Sequence, residues 1–471
     1  MMKTKPNEKN SIVDEFQNVP INDQRLINRL ILTATRLDER PEKSIPDACR
    51  NWAETSAAYD FFANDKVTPD AILASHFLNT GERLKRYPLV LLIQDTTKYD
   101  FSTHRNTKGL APYGKAPYSL GLLMHSVYAV SSKGVPLGLL YQEIWSRENY
   151  PAGKRYLRAE LPIEAKESFK WLKALDSSLK KIPNTVQTVT IGDREADIFE
   201  LFQKAHQRGA HLVIRARHNR RITGEYNLLY DQVNNIPEMG QCLVDIPRKP
   251  EQNLPPRQAK LNVRFCPVNI CLAHSQSKNP AGATPLHVIF AREIDVPEGA
   301  DPIEWLLLTT IPVTNMAEAI QKIEWYRERW KIERFHYTLK SGCHVEELQL
   351  ETKERLSNAI ALYSVIAWRL SWLTYQARVT PDLSCQIILE THEWQALYCV
   401  VNQTKTLPDQ PPTLHEAILL IAKLGGFLGR KHDGEPGVKV LWRGLQKLNE
   451  GLLFVEYFRS IPSPSLVLGN V

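Results

Sequence analysis

The chain of 471 residues contains no C-x-x-C pair. Its seven cysteines, Cys49, Cys242, Cys266, Cys271, Cys343, Cys385 and Cys399, are odd in number and scattered. That pattern argues against a zinc site or a disulfide framework and points to a reducing compartment, the cytoplasm. No apolar run approaches the roughly 20 residues needed to span a bilayer. The start, Met1–Asn10, is polar and lacks the apolar centre of a signal peptide. Internal repeats and long low-complexity tracts are missing as well. No convincing Ser/His/Asp or Cys/His set offers a nucleophilic side chain.

What remains is an ordinary soluble composition, 43% hydrophobic and 24% charged. The length suggests about three domains at roughly 150 residues each. A formal charge of +7 fits a polyanionic partner without establishing one. How the charges are arranged says more than their sum.

Asp23 is placed to cap a helix running to about Arg40. Along it Arg25, Arg29, Arg36 and Arg40 share one stripe, and Leu26, Ile27, Leu30, Ile31, Ala34 and Leu37 form another. A second helix is expected over Asp47–Asn64, and Thr68-Pro69-Asp70 opens a third. After Pro88 the pattern changes. Leu89–Ile93 is a continuous apolar run, the mark of a buried strand, and it carries Gln94 and Asp95 at its end. Strands near Leu120–Ser131 and Val135–Trp145 follow, turning at Lys133-Gly134. A helix over Ile163–Lys181, a strand Thr185–Ile191 ending in Gly192-Asp193, a helix Arg194–Arg208 and a strand His211–Arg215 come next. From about His218 to Pro302 helical periodicity stops, and alternation such as Lys260–Phe265 reads as a β-rich insertion with Pro and basic loops between Pro247 and Lys260. Glu304–Thr310 is one more strand. Beyond Glu351 the chain is helical, near Leu356–Ala377, Leu389–Asn402, Leu414–Leu424 and Val438–Phe458.

Three strands in meander order, then helix, strand, helix, strand, open an RNase H-like α/β domain. In that order Asp95 and Asp193 each follow an apolar run, where a carboxylate has no packing reason to be. Either could also serve as a turn former or N-cap. A third acid lies in Tyr326–Lys340. There Tyr326, Arg329, Glu333 and Lys340, spaced 3, 4 and 7 apart, fall within roughly 60° of one helix face at about 100° per residue. Ile320, Trp325, Ile332, Phe335 and Leu339 gather on the other side. Three hard oxygen donors on an open site suit magnesium or manganese, and a pair of such ions about 3.5–4 Å apart acts on phosphodiesters.

Asp95-Thr96-Thr97, Asp193-Arg194-Glu195-Ala196-Asp197 and the spaced Tyr326, Arg329, Glu333 and Lys340 set strongly resemble the bacterial DDE transposases of the insertion-sequence-four family. Asp23, Arg25, Arg29-Leu30, Tyr59, Phe61, His125-Ser126-Val127, Trp305–Thr309, Leu424–Phe427 and Leu441-Trp442 extend the likeness over nearly the whole chain. The resemblance implies a multidomain α/β protein. Its expected parts are a helical DNA-recognition domain over 1–70, an RNase H-like catalytic domain over 71–375 with the insertion at about 218–302, and a helical dimerisation domain over 376–471. It implies that Asp95, Asp193 and Glu333 hold two catalytic magnesium ions, for which manganese can substitute. It further implies that Tyr326, Arg329, Lys340, Arg215, Arg25 and Arg29 contact double-stranded DNA, and that Trp305 stacks a flipped base. The expected reaction is cut-and-paste transposition through nicking, hairpin formation and resolution, and strand transfer, by a homodimer in the bacterial cytoplasm. Ala417, Leu420, Ile421 and Leu424 make a plausible helix–helix face, for a second protomer or for the core. The alternative function is a catalytically silent DNA-binding regulator.

Overall fold

The computed structural model describes residues 11–114, 119–147, 161–246, 256–272, 282–430 and 433–460. The polar start Met1–Asn10 and the Pro-rich basic stretch 247–255 lie outside them. The N-terminal helices begin where short polar side chains take up free amides. Asp23 caps α1 (Gln24–Glu39), Ser44 caps α2 (Ile45–Ala48), Asn51 caps α3 (Trp52–Ala63) and Thr68 caps α4 (Pro69–Leu84). The helix expected over Asp47–Asn64 is thus two. Cys49 is extended, and Asn51 accepts from the Glu54 amide to start afresh.

The sheet elements follow as β1 (Leu89–Asp100), β2 (Ala111–Pro112), β3 (Leu120–Ser131), β4 (Pro136–Trp145), α5 (Phe169–Leu179), β5 (Gln187–Gly192), α6 (Phe199–Arg208) and β6 (His211–Arg215). Next come β7 (Ile222–Thr223), α7 (Leu229–Asn235), β8 (Gly240–Ile246), β9 (Arg257–Ile270), β10 (Thr284–Ile294) and β11 (Glu304–Thr309). The C-terminal part is helical: α8 (Met316–Arg327), α9 (Trp330–Tyr337), α10 (Lys353–Val379), α11 (Thr391–Asn402), α12 (Leu414–Leu424) and α13 (Val438–Ser460).

One sheet joins the described strands in the order β2-β3-β1-β5-β6-β11-β10-β9-β7, with β4 beside β3 and β8 beside β9. β3 and β4 pair antiparallel, as does β1 with β3, while β1, β5 and β6 run parallel. Gly134, in the left-handed region at φ 84°, makes the turn between β3 and β4. This mixed sheet flanked by helices is the RNase H-like architecture. The insertion extends it, because β11 pairs with β6 and carries β10 and β9 outward. It also contains a helix, α7, that the loss of periodicity did not announce.

α9 and α10 cover one face, where Phe335 stacks on Tyr128 with ring centroids 4.9 Å apart. α5 and α6 cover the other, where Trp171, Phe199 and Phe202 build a second core. The N-terminal helices share the first core with the sheet, and the C-terminal helices form a third. α10 binds these parts together. Its Asn358 donates to the carbonyls of Phe62 and Val67, and Arg369 pairs with Asp38 of α1 at 2.6 Å.

A buried ionic cluster fastens the chain ahead of α1 to the sheet. Glu15 meets Arg83 at 2.6 Å and His76 Nδ1 at 2.5 Å. Arg83 also donates to the Leu137 carbonyl and lies over the Trp368 ring, 4.2 Å from its centroid. His76 Nε2 accepts from the Leu139 amide, so its Nδ1 carries the proton that Glu15 receives.

The Ala417, Leu420 and Ile421 face is committed within the chain. α12 packs on α13 so closely that a Cβ on Gly444 would lie 1.8 Å from the Ile421 carbonyl oxygen. Those three residues are buried in the third core, which removes them as a surface for a second protomer.

Candidate active site on the split sheet

β1 was expected to end near Asp95, but it continues to Asp100. What ends there is its pairing with β5, at Ile93 opposite Ile191. Asp95 and Asp193 therefore lie at equal distance, two residues, beyond the last parallel pair. Two adjacent strands deliver one carboxylate each to the point where they part. Asp193 caps a short turn, Arg194–Ala196, and accepts from the Glu195 amide at 2.8 Å. The helix expected from Arg194 is this turn followed by α6, and Asp193 serves as the N-cap of the turn.

Burial and the neighbouring Asp193 push the Asp95 carboxyl up to about 7, with Glu333 adding to the rise. The Thr96 amide and Arg329 act the other way. All three acids therefore act within one electrostatic field. From the facing helix, His336 Nδ1 stands 3.7 Å from Asp95 Oδ2. Its Nε2 is buried without a partner, and burial followed by Lys340 pushes the imidazole down to about 3.

The segment Tyr326–Lys340 is not the single helix that the spacing predicts. α8 ends at Arg327 and α9 begins at Trp330. Between them the Glu328 and Arg329 amides bond three residues back, to Trp325 and Tyr326, in a tightened turn. At the far end Thr338–Gly342 widens into a π turn, closed by the Cys343 amide on the Thr338 carbonyl. Trp442 of α13 sits against this turn, where a Cβ on Gly342 would come within 2.2 Å of the indole.

These irregularities distribute the four signature residues. Glu333 lies in the first turn of α9 and pairs with Arg329 Nη1 at 2.6 Å. Lys340 rides on the π turn, 5.6 Å from the Tyr99 ring centroid. Tyr326 is buried, edge-on to Trp305 at 5.5 Å, so its ring supports Trp305 from beneath instead of presenting itself outward. Trp305, half-buried on β11, is beside Arg215, whose Nη2 donates to the Glu304 carbonyl.

The arginine stripe of α1 divides. Arg25 is exposed and pairs with Asp23 at 3.2 Å, and Arg29 is half-buried. Arg36 is taken by Glu54 at 2.8 Å and Arg40 donates to the Asp47 carbonyl, so the stripe's second half holds helices together.

Sequence reasoning gave no role to Asp197. Its buried carboxylate accepts from the amides of Arg217 and His218 and from Arg220 Nε at 2.6 Å, fixing the basic loop after β6. His336 was also missed. Its position three residues after Glu333, one turn along the same helix, was the available signal.

Among the described residues no three His, Cys, Asp or Glu side chains converge closely enough to hold a metal ion as they stand. The reason is visible: Glu333 is turned to Arg329 and Asp193 to its own turn. The donor chemistry nevertheless fits a divalent cation. Asp95 and Asp193 are hard oxygen donors on adjacent strands, and an acid raised by another acid is relieved by a cation between them. Among the described residues no helix is long and apolar enough to cross a membrane.

Three family models match the chain: transposase DNA-binding over residues 9–67, the transposase DDE domain over 170–370, and the transposase Tn5 dimerisation domain over 365–465. The DDE match contains Asp193 and Glu333 but begins after β1, so Asp95 is placed by strand register. Among solved structures, the piggyBac transposase synaptic complex with hairpin DNA is similar at 11% identity and a TM-score of 0.38, over 96% of this chain and 78% of that chain. That likeness is too slight to inform the site. The three matched segments and the acids at the sheet split agree: the chain belongs to the DDE transposases, metal-dependent enzymes acting on DNA, and is of the Tn5-like kind.

Proposed function

We propose that this transposase moves DNA by cut and paste, using Asp95, Asp193 and Glu333 as ligands for two magnesium ions, which manganese can replace. The observation that carries the reading is the shared register of Asp95 and Asp193 beyond the last β1–β5 pair, with Glu333 of α9 near enough to raise the Asp95 carboxyl. Ions held there would activate water or a 3′-hydroxyl and stabilise the leaving oxygen.

The chain's own residues do the rest. Arg329 holds Glu333 until phosphates of a transposon end draw the guanidinium off, which frees the carboxylate. Lys340 adds a point charge and Arg215 a fork of donors along the same DNA path. Trp305, supported by Tyr326, stacks a base displaced during hairpin formation. Nicking, hairpin formation, hairpin opening and strand transfer are all displacements at phosphorus, so one site serves each.

Residues 1–70 read the transposon end, with Arg25 exposed and Arg29 half-buried on α1. The unit over 71–375 carries out the chemistry, and 376–471 pairs two protomers. In support, Phe454, Tyr457 and Phe458 stand exposed on α13.

The test is cleavage of DNA carrying the inverted repeats that flank the gene, by purified protein with magnesium. Asp95→Asn, Asp193→Asn and Glu333→Gln should each abolish cleavage while keeping gel-shift binding. Cleavage that survives Asp95→Asn would sink the assignment. Binding without cleavage by the unaltered protein, across several divalent metals, would favour a silent regulator.

A further inference from the structure

β1 loses its β5 neighbour after Ile93, just before the carboxylate that most needs a fixed position. Only β3 accompanies it through Gln94, Asp95 and Thr96, which face Val127, Ser126 and His125. Side chains alternate along a strand, so Gln94 and Thr96 point to the face opposite Asp95. On that face one imidazole bonds both. His125 Nδ1 lies 2.9 Å from Thr96 Oγ1, and its Nε2 lies 3.3 Å from Gln94 Oε1. The ring is fully buried and meets Trp171 of α5 edge-on at 4.7 Å.

We propose that His125 is a positioning residue for Asp95: it ties the two residues flanking the carboxylate to β3 and replaces the strand pairing that β1 has lost. The proposal rests on Asp95 being a metal ligand. A neutral ring with one donor and one acceptor satisfies both contacts. Gln94 Oε1 accepts from Nε2–H, and the Thr96 hydroxyl donates to Nδ1. An aliphatic residue at 125 would fill the space but leave the half-buried Thr96 hydroxyl and the buried Gln94 side-chain carbonyl without this partner. Through-strand support of this kind acts as outer-shell partners of metal ligands do.

The test is Mn2+ binding to the full chain, followed by electron paramagnetic resonance, beside thermal melting. Thr96→Val removes one hydroxyl at constant shape. It should weaken Mn2+ binding about 10-fold or more, as loss of an outer-shell partner does, with an unchanged melting temperature. His125→Ala should weaken binding at least as much. His125→Gln keeps a donor and an acceptor and should restore most of the loss. Equal binding by the unaltered chain, Thr96→Val and His125→Ala overturns the proposal. So does equal weakness of the Ala and Gln variants, which would make His125 a packing residue. Asp95→Asn separates the two levels. If it loses Mn2+ while the other variants keep it, only the positioning role fails. If it binds as the unaltered chain does, the ligand assignment fails and takes the proposal with it.

Discussion

Arg329 Nη1 lies 2.6 Å from Glu333 Oε1, so the carboxylate proposed as a metal ligand is held by the cation proposed to grip DNA. The pair is partly shielded, since the Arg329 side chain is only 13% exposed. Its Nε is buried without a partner, which leaves the guanidinium incompletely satisfied where it stands.

Arg329→Gln should therefore bind Mn2+ more tightly than the unaltered chain when no DNA is present. A pair contributing about 1 kcal/mol corresponds to roughly a fivefold gain. The same variant should bind DNA more weakly. Calorimetric titration with Mn2+, with and without duplex DNA, reads both effects. Equal or weaker Mn2+ binding by Arg329→Gln would show that the pair does not restrain Glu333.

The cluster around Glu15 predicts how stability falls in acid. Burial alone pushes this carboxyl up, but His76 and Arg83 together outweigh it and hold it at about 2, below the usual 4.5. A depressed folded value means that the contribution is complete above the unfolded value and is lost as pH falls through the folded one. Stability should decline between about 4.5 and 2. Glu15→Gln should flatten that decline. At pH 7 it should cost about 3–5 kcal/mol, because Arg83 stays buried without its counter-charge. Urea unfolding at pH 7, 5 and 3 measures this, and parallel curves for the two proteins would refute it.

Gly342 leaves no room for a side chain beside Trp442. Gly342→Ala should destabilise the chain by about 1–3 kcal/mol through overpacking, and Trp442→Leu in the same chain should recover part of that. Additive losses in the double variant, read by melting, would mean that the turn and α13 are not coupled.

Much of this was legible in the sequence. β3, β6 and α12 occupy the stretches that their apolar patterns mark, because alternation and helical stripes are local properties. The break at Glu328 was not, since two residues bonded three back instead of four leave no trace in a pattern of period 3.6. Nor could the sequence show that β1 outlasts its β5 pairing. That depends on where a strand almost a hundred residues away turns aside. The stripe Ala417, Leu420, Ile421 and Leu424 announced a helix–helix face but not its partner. Two glycines, Gly425 and Gly444, settled the matter by letting α12 and α13 backbones meet. Arg36 looked like Arg25 until Glu54, eighteen residues on, came to lie beside it.

α10 runs unbroken for 27 residues and is gripped along its length, by Phe62 and Val67 through Asn358, by Arg83 through Trp368, and by Asp38 through Arg369. Both the DDE match and the dimerisation match include part of it. A molecule assembled on such a rod has a fixed gauge. If α1 reads a sequence on DNA, the number of base pairs from that sequence to the acids at the sheet split is set by the rod. Inserting one base pair there should move the cut relative to the transposon end by one base pair, not relax its position.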